Sequence, residues 1–221
     1  MSQNYLQPLA KLFNDNANMQ RAQATAKYFK NNFVFYGFDS ATRRQLIKNF
    51  YRENGVDSTA NLVEIATWAF SQPQREWQYF AMEHVHKHRK HWTPETMKLL
   101  HFMLTNKSWW DTVDFLATHS VCFAVTQMPQ LLPTVQQWNK SDNMWLIRTS
   151  IIFQNLQKDK TNKDLLFAHI IPHLQRKEFF IQKAIGWALR QYATTNAQAV
   201  IQFCQAETLP ALSKREALKH F

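Results

Sequence analysis

Helical spacing runs through this chain almost without a break. Over 221 residues there are three glycines and seven prolines, and apolar residues recur every three to four positions rather than every two. A strand needs alternation and a hairpin needs turn residues, and both are scarce. That confines the chain to all-α folds. The pattern predicts helices near 5–14, 18–31, 40–54, 58–71, 74–91, 94–106, 109–127, 130–139, 142–157, 162–174, 178–194, 197–206 and 212–220, with ends placed to about 2–4 residues. Thr93-Pro94, Asp39-Ser40 and Ser141-Asp142 read as helix starts, with a cap followed by a helix-compatible residue. Gly37 and Gly55 mark loops and Pro129 a break.

Short helices joined by short polar turns suggest stacked antiparallel pairs. Pair starts recur about every 35–40 residues, inside the range of HEAT-like repeats. No Gly/Ser linker or low-complexity run divides the chain. The expected architecture is a single domain over 1–221, a curved α-solenoid of HEAT-like antiparallel helix pairs with a functional concave face. A compact helical bundle is the alternative.

Charge points to a partner class. Twenty-six Lys and Arg face sixteen Asp and Glu, a formal net charge of +10. A surplus of that size favours a polyanion, nucleic acid ahead of an acidic membrane surface. No apolar stretch approaches the roughly 20 residues of a membrane span. The first residues lack the charged start and apolar run of a signal peptide. Two cysteines, Cys122 and Cys204, form neither a disulfide framework nor a CxxC motif. A reducing compartment fits, so a cytoplasmic location is expected.

Candidate chemistry begins at Lys107-Ser-Trp-Trp-Asp-Thr-Val-Asp114. With Ser108 as cap, Trp109 shares a stripe with Val113, Leu116, Ser120 and Phe123. Trp110 and Asp114, four apart, fall about 100–140° away from that stripe, side by side. An indole beside an anion on a helix flank is a poor core and a reasonable cation holder. On the 178–192 stretch, Ile181, Ile185, Ala188, Leu189 and Tyr192 make the apolar stripe. Trp187 points away from it, flanked by Lys183 and Arg190. Trp187 either packs on a neighbouring repeat or offers a stacking surface edged by cations. Arg148 sits among Met144, Trp145, Ile151 and Ile152 with no carboxylate at helical spacing. Its partner is then a carboxylate from another helix or a phosphate held bidentately.

Several motifs, in order, resemble the AlkD-type DNA alkylation-repair glycosylases. They are A-K-Y-x-K-N at 26–31 followed by Gly37 and Arg43-Arg44, K-S-W-W-D-x-V-D at 107–114, S-D-N-x-W-L-x-R at 141–148, E-F-F-I-Q-K-A-I-G-W-x-L-R at 178–190 and L-S-K-R-E-A at 212–217. The resemblance covers most of the chain and implies a HEAT-like repeat enzyme that needs no cofactor. By it, Asp114, Trp110, Trp187 and Arg148 form the active cleft. Asp114 stabilises an oxocarbenium ion and positions water, the indoles contact sugar and backbone around the lesion, and Arg148 grips phosphate. Tyr28, Arg43 and Arg44 match DNA-contacting positions. Lys107, Lys183, Arg190, Lys214 and Arg215 are further candidates for phosphate contact. The implied partner is duplex DNA containing alkylated bases, bound by a monomer.

The residues fit that chemistry. Cleaving an N-glycosidic bond builds positive charge on the deoxyribose. A carboxylate stabilises it, and Trp faces attract the cationic base of an N7-methylguanine or N3-methyladenine. Such a base leaves neutral, so no general acid is required. No lysine is placed as a Schiff-base nucleophile, so strand cleavage is not expected. A non-catalytic DNA- or protein-binding module and a helical scaffold are the other readings. His84, His86, His88 and His91 crowd one segment, yet no HExxH pattern follows and cations surround them, so no metal site is expected and the segment reads as a basic solvated face. His169 and His173 share i,i+4 spacing in an apolar helix and read as structural.

Overall fold

A computed structural model describes residues 2–56 and 61–219. The all-α expectation holds: among the described residues β pairing is confined to one isolated bridge, Val34 with Gln74. In chain order the helices are α1 (Ser2–Asp15), α2 (Met19–Tyr28), α3 (Ser40–Asn54), α4 (Leu62–Ser71), α5 (Arg75–Lys87), α6 (Thr96–Thr105), α7 (Trp110–Phe115), α8 (Cys122–Gln127), α9 (Leu132–Asn139), α10 (Met144–Ile152), α11 (Lys163–Ile170), α12 (Phe179–Ala193), α13 (Ala197–Ala206) and α14 (Ala211–Ala217). Positions 58–60 and 220, which the sequence places in helices, lie outside the described residues. No helix among the described residues is long and apolar enough to cross a membrane.

Asparagine and aspartate start many of these helices. Asn18, Asp39, Asn143, Asn162 and Asn196 each accept a backbone N–H of the first turn. Such a cap stabilises by about 1 kcal/mol. Two expected starts move. The α10 cap is Asn143, bonded to Trp145 N at 2.9 Å, rather than Ser141-Asp142. At α6, Thr93 and Pro94 instead form tight turns, Thr96 N to Thr93 O at 2.9 Å and Met97 N to Pro94 O at 3.1 Å, so the helix opens at Thr96.

The chain gathers into two compact units, Met1–His91 and Trp92–Phe221. In the first, Leu6, Leu9 and Phe13 of α1 are fully buried with Phe50, Trp77 and Phe80. Each such side chain contributes roughly 1.5–3 kcal/mol of apolar burial. Phe13 and Trp77 meet with ring centroids 4.9 Å apart. The α2–α3 connection is fixed by Glu76, a buried carboxylate that accepts Tyr36 N at 3.0 Å and Gly37 N at 2.9 Å. Gly37 has φ +94°, and a Cβ there would lie 2.2 Å from Asn18 O, so only glycine fits.

Two surface assignments change in this unit. Arg43 is 8% exposed, its guanidinium 2.6 Å from Glu83 and 4.6 Å from the Tyr79 ring centroid. It belongs to the interior side of α3, with Leu46, Ile47 and Phe50, and does not present a surface for DNA. The histidine segment is a solvated face only in part: Lys87, Lys90 and His91 are exposed, but two of its histidines turn inward. His84 is fully buried and His88 nearly so. His84 Nδ1 lies 2.7 Å from the Tyr51 hydroxyl, and the His84 ring stacks on Phe80. Among the described residues no group of three side chains has metal-ligand geometry.

The second unit is built on Ile147, Ile151, Ile170, Ile181, Ile185, Leu189 and Val200. Asn139 braces it from within, donating to Ser150 Oγ at 2.8 Å and to His169 O at 2.9 Å. His169 Nδ1 lies 2.8 Å from Ser150 O, so that nitrogen carries the proton.

Candidate active site

The expected 109–127 helix is continuous but not regular. Its cap is Trp109, while Ser108 Oγ donates back to Leu104 O at 2.6 Å. Ser108 therefore does not cap it. Lys107 before it takes φ +47° and turns the chain. Between α7 and α8 the helix widens into a π turn, Leu116–Val121. A π turn shifts hydrogen-bond partners by one residue and frequently accompanies functional side chains. Here Thr118 Oγ1 donates to the Asp114 carbonyl at 2.7 Å.

Three helices converge on one cleft of about 310 Å³, lined by Trp110, Asp114, Arg148, Phe179, Phe180, Lys183, Trp187 and Arg190. Trp110 and Asp114 come from α7, Arg148 from α10, and the rest from α12. Phe180 also packs with Trp109 and Trp145 in an aromatic cluster, with centroids 5.0–5.8 Å apart. Trp187 is half-buried and rests on the core.

Arg148 answers its open question with a carboxylate. Its Nε donates to Asp114 Oδ1 at 2.7 Å, Nη2 to Oδ2 at 2.8 Å and Nη1 to Phe180 O at 2.6 Å. At 5% exposure the guanidinium is held against Asp114 and orients its carboxylate at the cleft wall. The carboxylate keeps further lone pairs, since two oxygens offer about four acceptor sites. Burial pushes the Asp114 pKa above its ordinary value, and Arg148 pulls against that rise.

Lys183 and Arg190 are paired as well. Both meet Glu216 of α14, Lys183 Nζ at 3.1 Å and Arg190 Nη1 at 2.7 Å. These bonds hold Glu216 below the usual carboxylate range, Arg190 contributing most. Glu216, Phe179 and Phe180 were not singled out from the sequence. Phe179 is 58% exposed at the cleft. Nothing in helical spacing links Glu216 to residues 26 and 33 positions earlier.

The other candidates do not line this cleft. Tyr28 is 71% exposed and Arg44 is exposed, both in the first unit. Lys214 and Arg215 are exposed on α14. Lys107 sits half-buried at the start of the Trp-Trp turn.

With this geometry in place, comparison identifies the family. The model of the DNA alkylation repair enzyme family matches residues 9–221. The chain belongs to that family. A solved structure described as a predicted DNA alkylation repair enzyme from Enterococcus faecalis is 30% identical, with a TM-score of 0.87 over 93% of this chain and 97% of that one. No curated protein matches. Membership in the DNA alkylation repair enzyme family gives this all-helical chain a role in alkylation repair. It leaves the reaction to be argued from the cleft.

Proposed function

We propose that this family member is a monofunctional DNA glycosylase that hydrolyses the N-glycosidic bond of cationic alkylpurines, of the N7-methylguanine or N3-methyladenine type, in duplex DNA. One observation carries the reading. Among the described residues lining the cleft, Asp114 is the only acid, and two indoles and two phenyl rings line the cleft with it. A hydrolase of ordinary sugars uses two carboxyl groups, one to protonate the leaving group. A base that already carries positive charge needs no such proton. The bond breaks with its electron pair moving onto the base, which leaves neutral, and the sugar becomes an oxocarbenium ion. Asp114 faces that charge at short range and in a poorly solvated site, where electrostatic stabilisation is strong. Its remaining lone pairs can align a water whose oxygen bonds the sugar carbon and whose released proton passes by way of the carboxylate to solvent, leaving an abasic site. Trp110 and Trp187 favour the cationic substrate over neutral bases through their ring faces.

A base-release assay on methylated duplex tests this. Wild type releases free N7-methylguanine without cutting the strand. Asp114→Asn lowers the rate by about 10²–10³-fold, the scale for loss of a preorganised electrostatic group, while duplex affinity changes little. Excision by the Asn variant at the wild-type rate removes Asp114 from the mechanism. Salt-sensitive duplex binding with no base release by wild type leaves a DNA-binding module without this chemistry.

A further inference from the structure

The two cations beside Trp187 are tied to one acid, and the tie is built into the packing of α12 on α14. Lys183, Trp187 and Arg190 share a face of α12, one and two turns apart. Gly186 lies against α14: a Cβ there would fall 2.5 Å from Glu216 Cβ and 2.9 Å from Ser213 O. Ser213, fully buried, donates its hydroxyl to Gln182 O at 2.9 Å. These contacts hold α14 close enough for the Glu216 carboxylate to bridge Lys183 Nζ at 3.1 Å and Arg190 Nη1 at 2.7 Å. Arg190 Nη1 also reaches Glu216 O at 3.2 Å. The Glu216 side chain is 16% exposed, and those of Lys183 and Arg190 are 36% and 21% exposed.

A carboxylate gripped by a lysine and an arginine has the charge and acceptor geometry of a DNA phosphate. We infer that Glu216 is an internal stand-in for phosphate, a specificity-determining residue that restrains Lys183 and Arg190 from gripping undamaged duplex at the cleft edge. This rests on reading the cleft as a duplex-DNA site. Without the acid, both cations are free for any backbone. Affinity for plain duplex then rises, lesion or no lesion, and the advantage of alkylated over plain DNA shrinks. A purely structural Glu216 makes a different prediction, because weakening α14 has no means of tightening DNA binding.

The test is duplex binding by fluorescence anisotropy across 50–200 mM salt, with unmodified and methylated oligonucleotides of one sequence. Each phosphate newly neutralised steepens the slope of log K against log salt by about 0.9. Glu216→Gln keeps the shape and removes the charge. It is expected to bind unmodified duplex roughly three- to tenfold tighter at low salt, with a slope steeper by about 0.9–1.8. Glu216→Asp keeps the charge and is expected to keep the wild-type slope. Wild-type or weaker binding by Glu216→Gln overturns the inference, as does equal steepening by Glu216→Asp. Should the Gln variant not fold, Lys183→Gln reads the same bridge. A lysine held by Glu216 leaves the slope nearly unchanged when substituted, whereas one already on phosphate flattens it by about 0.9, which overturns the inference. Base release is scored separately. A wild type that binds DNA and releases nothing refutes the glycosylase reading while leaving this result to stand on the slopes.

Discussion

Asp114 sits between two opposing influences, and pH separates them. Burial raises its pKa, while the Arg148 guanidinium favours the anion. Only the anion stabilises an oxocarbenium ion, so base release should be full above the raised pKa and fall as pH drops through it. That fall comes at a higher pH than for an ordinary aspartate near 3.9. The stability sign runs the other way. A carboxyl whose pKa is higher folded than unfolded binds more protons in the folded state, so its protonation favours folding. Loss of activity from Asp114 titration should therefore occur in protein that is still folded. A pH–rate profile beside circular dichroism at each pH checks this. A limb at the ordinary aspartate pKa, or one that tracks unfolding, contradicts it. The pairing behind this behaviour was half legible. Helical angles put Trp110 and Asp114 side by side, and the want of a local acid marked Arg148 as needing a partner. Which partner depended on how α7 and α10 pack, 34 residues apart, and spacing within one helix carries no such information. Arg43 is the reverse case. Its spacing to Leu46, Ile47 and Phe50 put it on the buried stripe, a sign masked by the look of a dibasic pair. His84 hides on its helix in the same way, after Trp77, Phe80 and Ala81.

At the scale of elements, helices were legible and their joints were not. A period of 3.6 marks a helix interior, but ends depend on which nearby Asn, Ser or Asp wins the first-turn N–H groups. The Ser108 hydroxyl turned to a carbonyl instead, and Asn143 displaced its two neighbours. The π turn at 116–121 leaves no trace in composition, because it adds one residue to a turn without breaking the helix. The α12–α14 joint is the one most exposed to a single substitution. Gly186→Ala should gain up to about 1 kcal/mol of helix propensity. The new methyl meets Glu216 Cβ at 2.5 Å and Ser213 O at 2.9 Å, neither of which is a flexible tip. Overpacking of this kind costs about 1–3 kcal/mol. The net expectation is a lower Tm, with α14 displaced and the Lys183–Glu216–Arg190 bridge loosened. A variant at or above the wild-type Tm shows that α14 can move away freely.

For the whole chain, the feature that matters is where the positive charge resides. Residues 1–91 hold twelve Lys and Arg against seven Asp and Glu, and residues 92–221 hold fourteen against nine. Each unit thus carries the same surplus, although the cleft belongs to the second alone. Attraction to DNA is therefore not expected to be the property of the cleft. Within the cleft much of the charge is internally neutralised: Arg148 by Asp114, Lys183 and Arg190 by Glu216. Arg44 in one unit and Lys214 and Arg215 in the other are exposed, and the proposed function assigns them to the DNA backbone. Substituting Arg44→Gln, or Lys214 and Arg215 together by Gln, should weaken binding to methylated and unmodified duplex by equal factors. Every cation–phosphate pair removed in this way should flatten the salt slope by about 0.9. The rate of base release from saturated enzyme should hold, because none of the three side chains lines the cleft. Binding isotherms across salt, paired with single-turnover excision at saturating enzyme, check both halves. A substitution that slows saturated excision, or that weakens binding to methylated DNA alone, places its residue in lesion recognition instead. An unchanged slope removes it from the interface. Under the proposed function, fold and charge then act separately: cations of both units attract the duplex, and the cleft around Asp114 acts on the base.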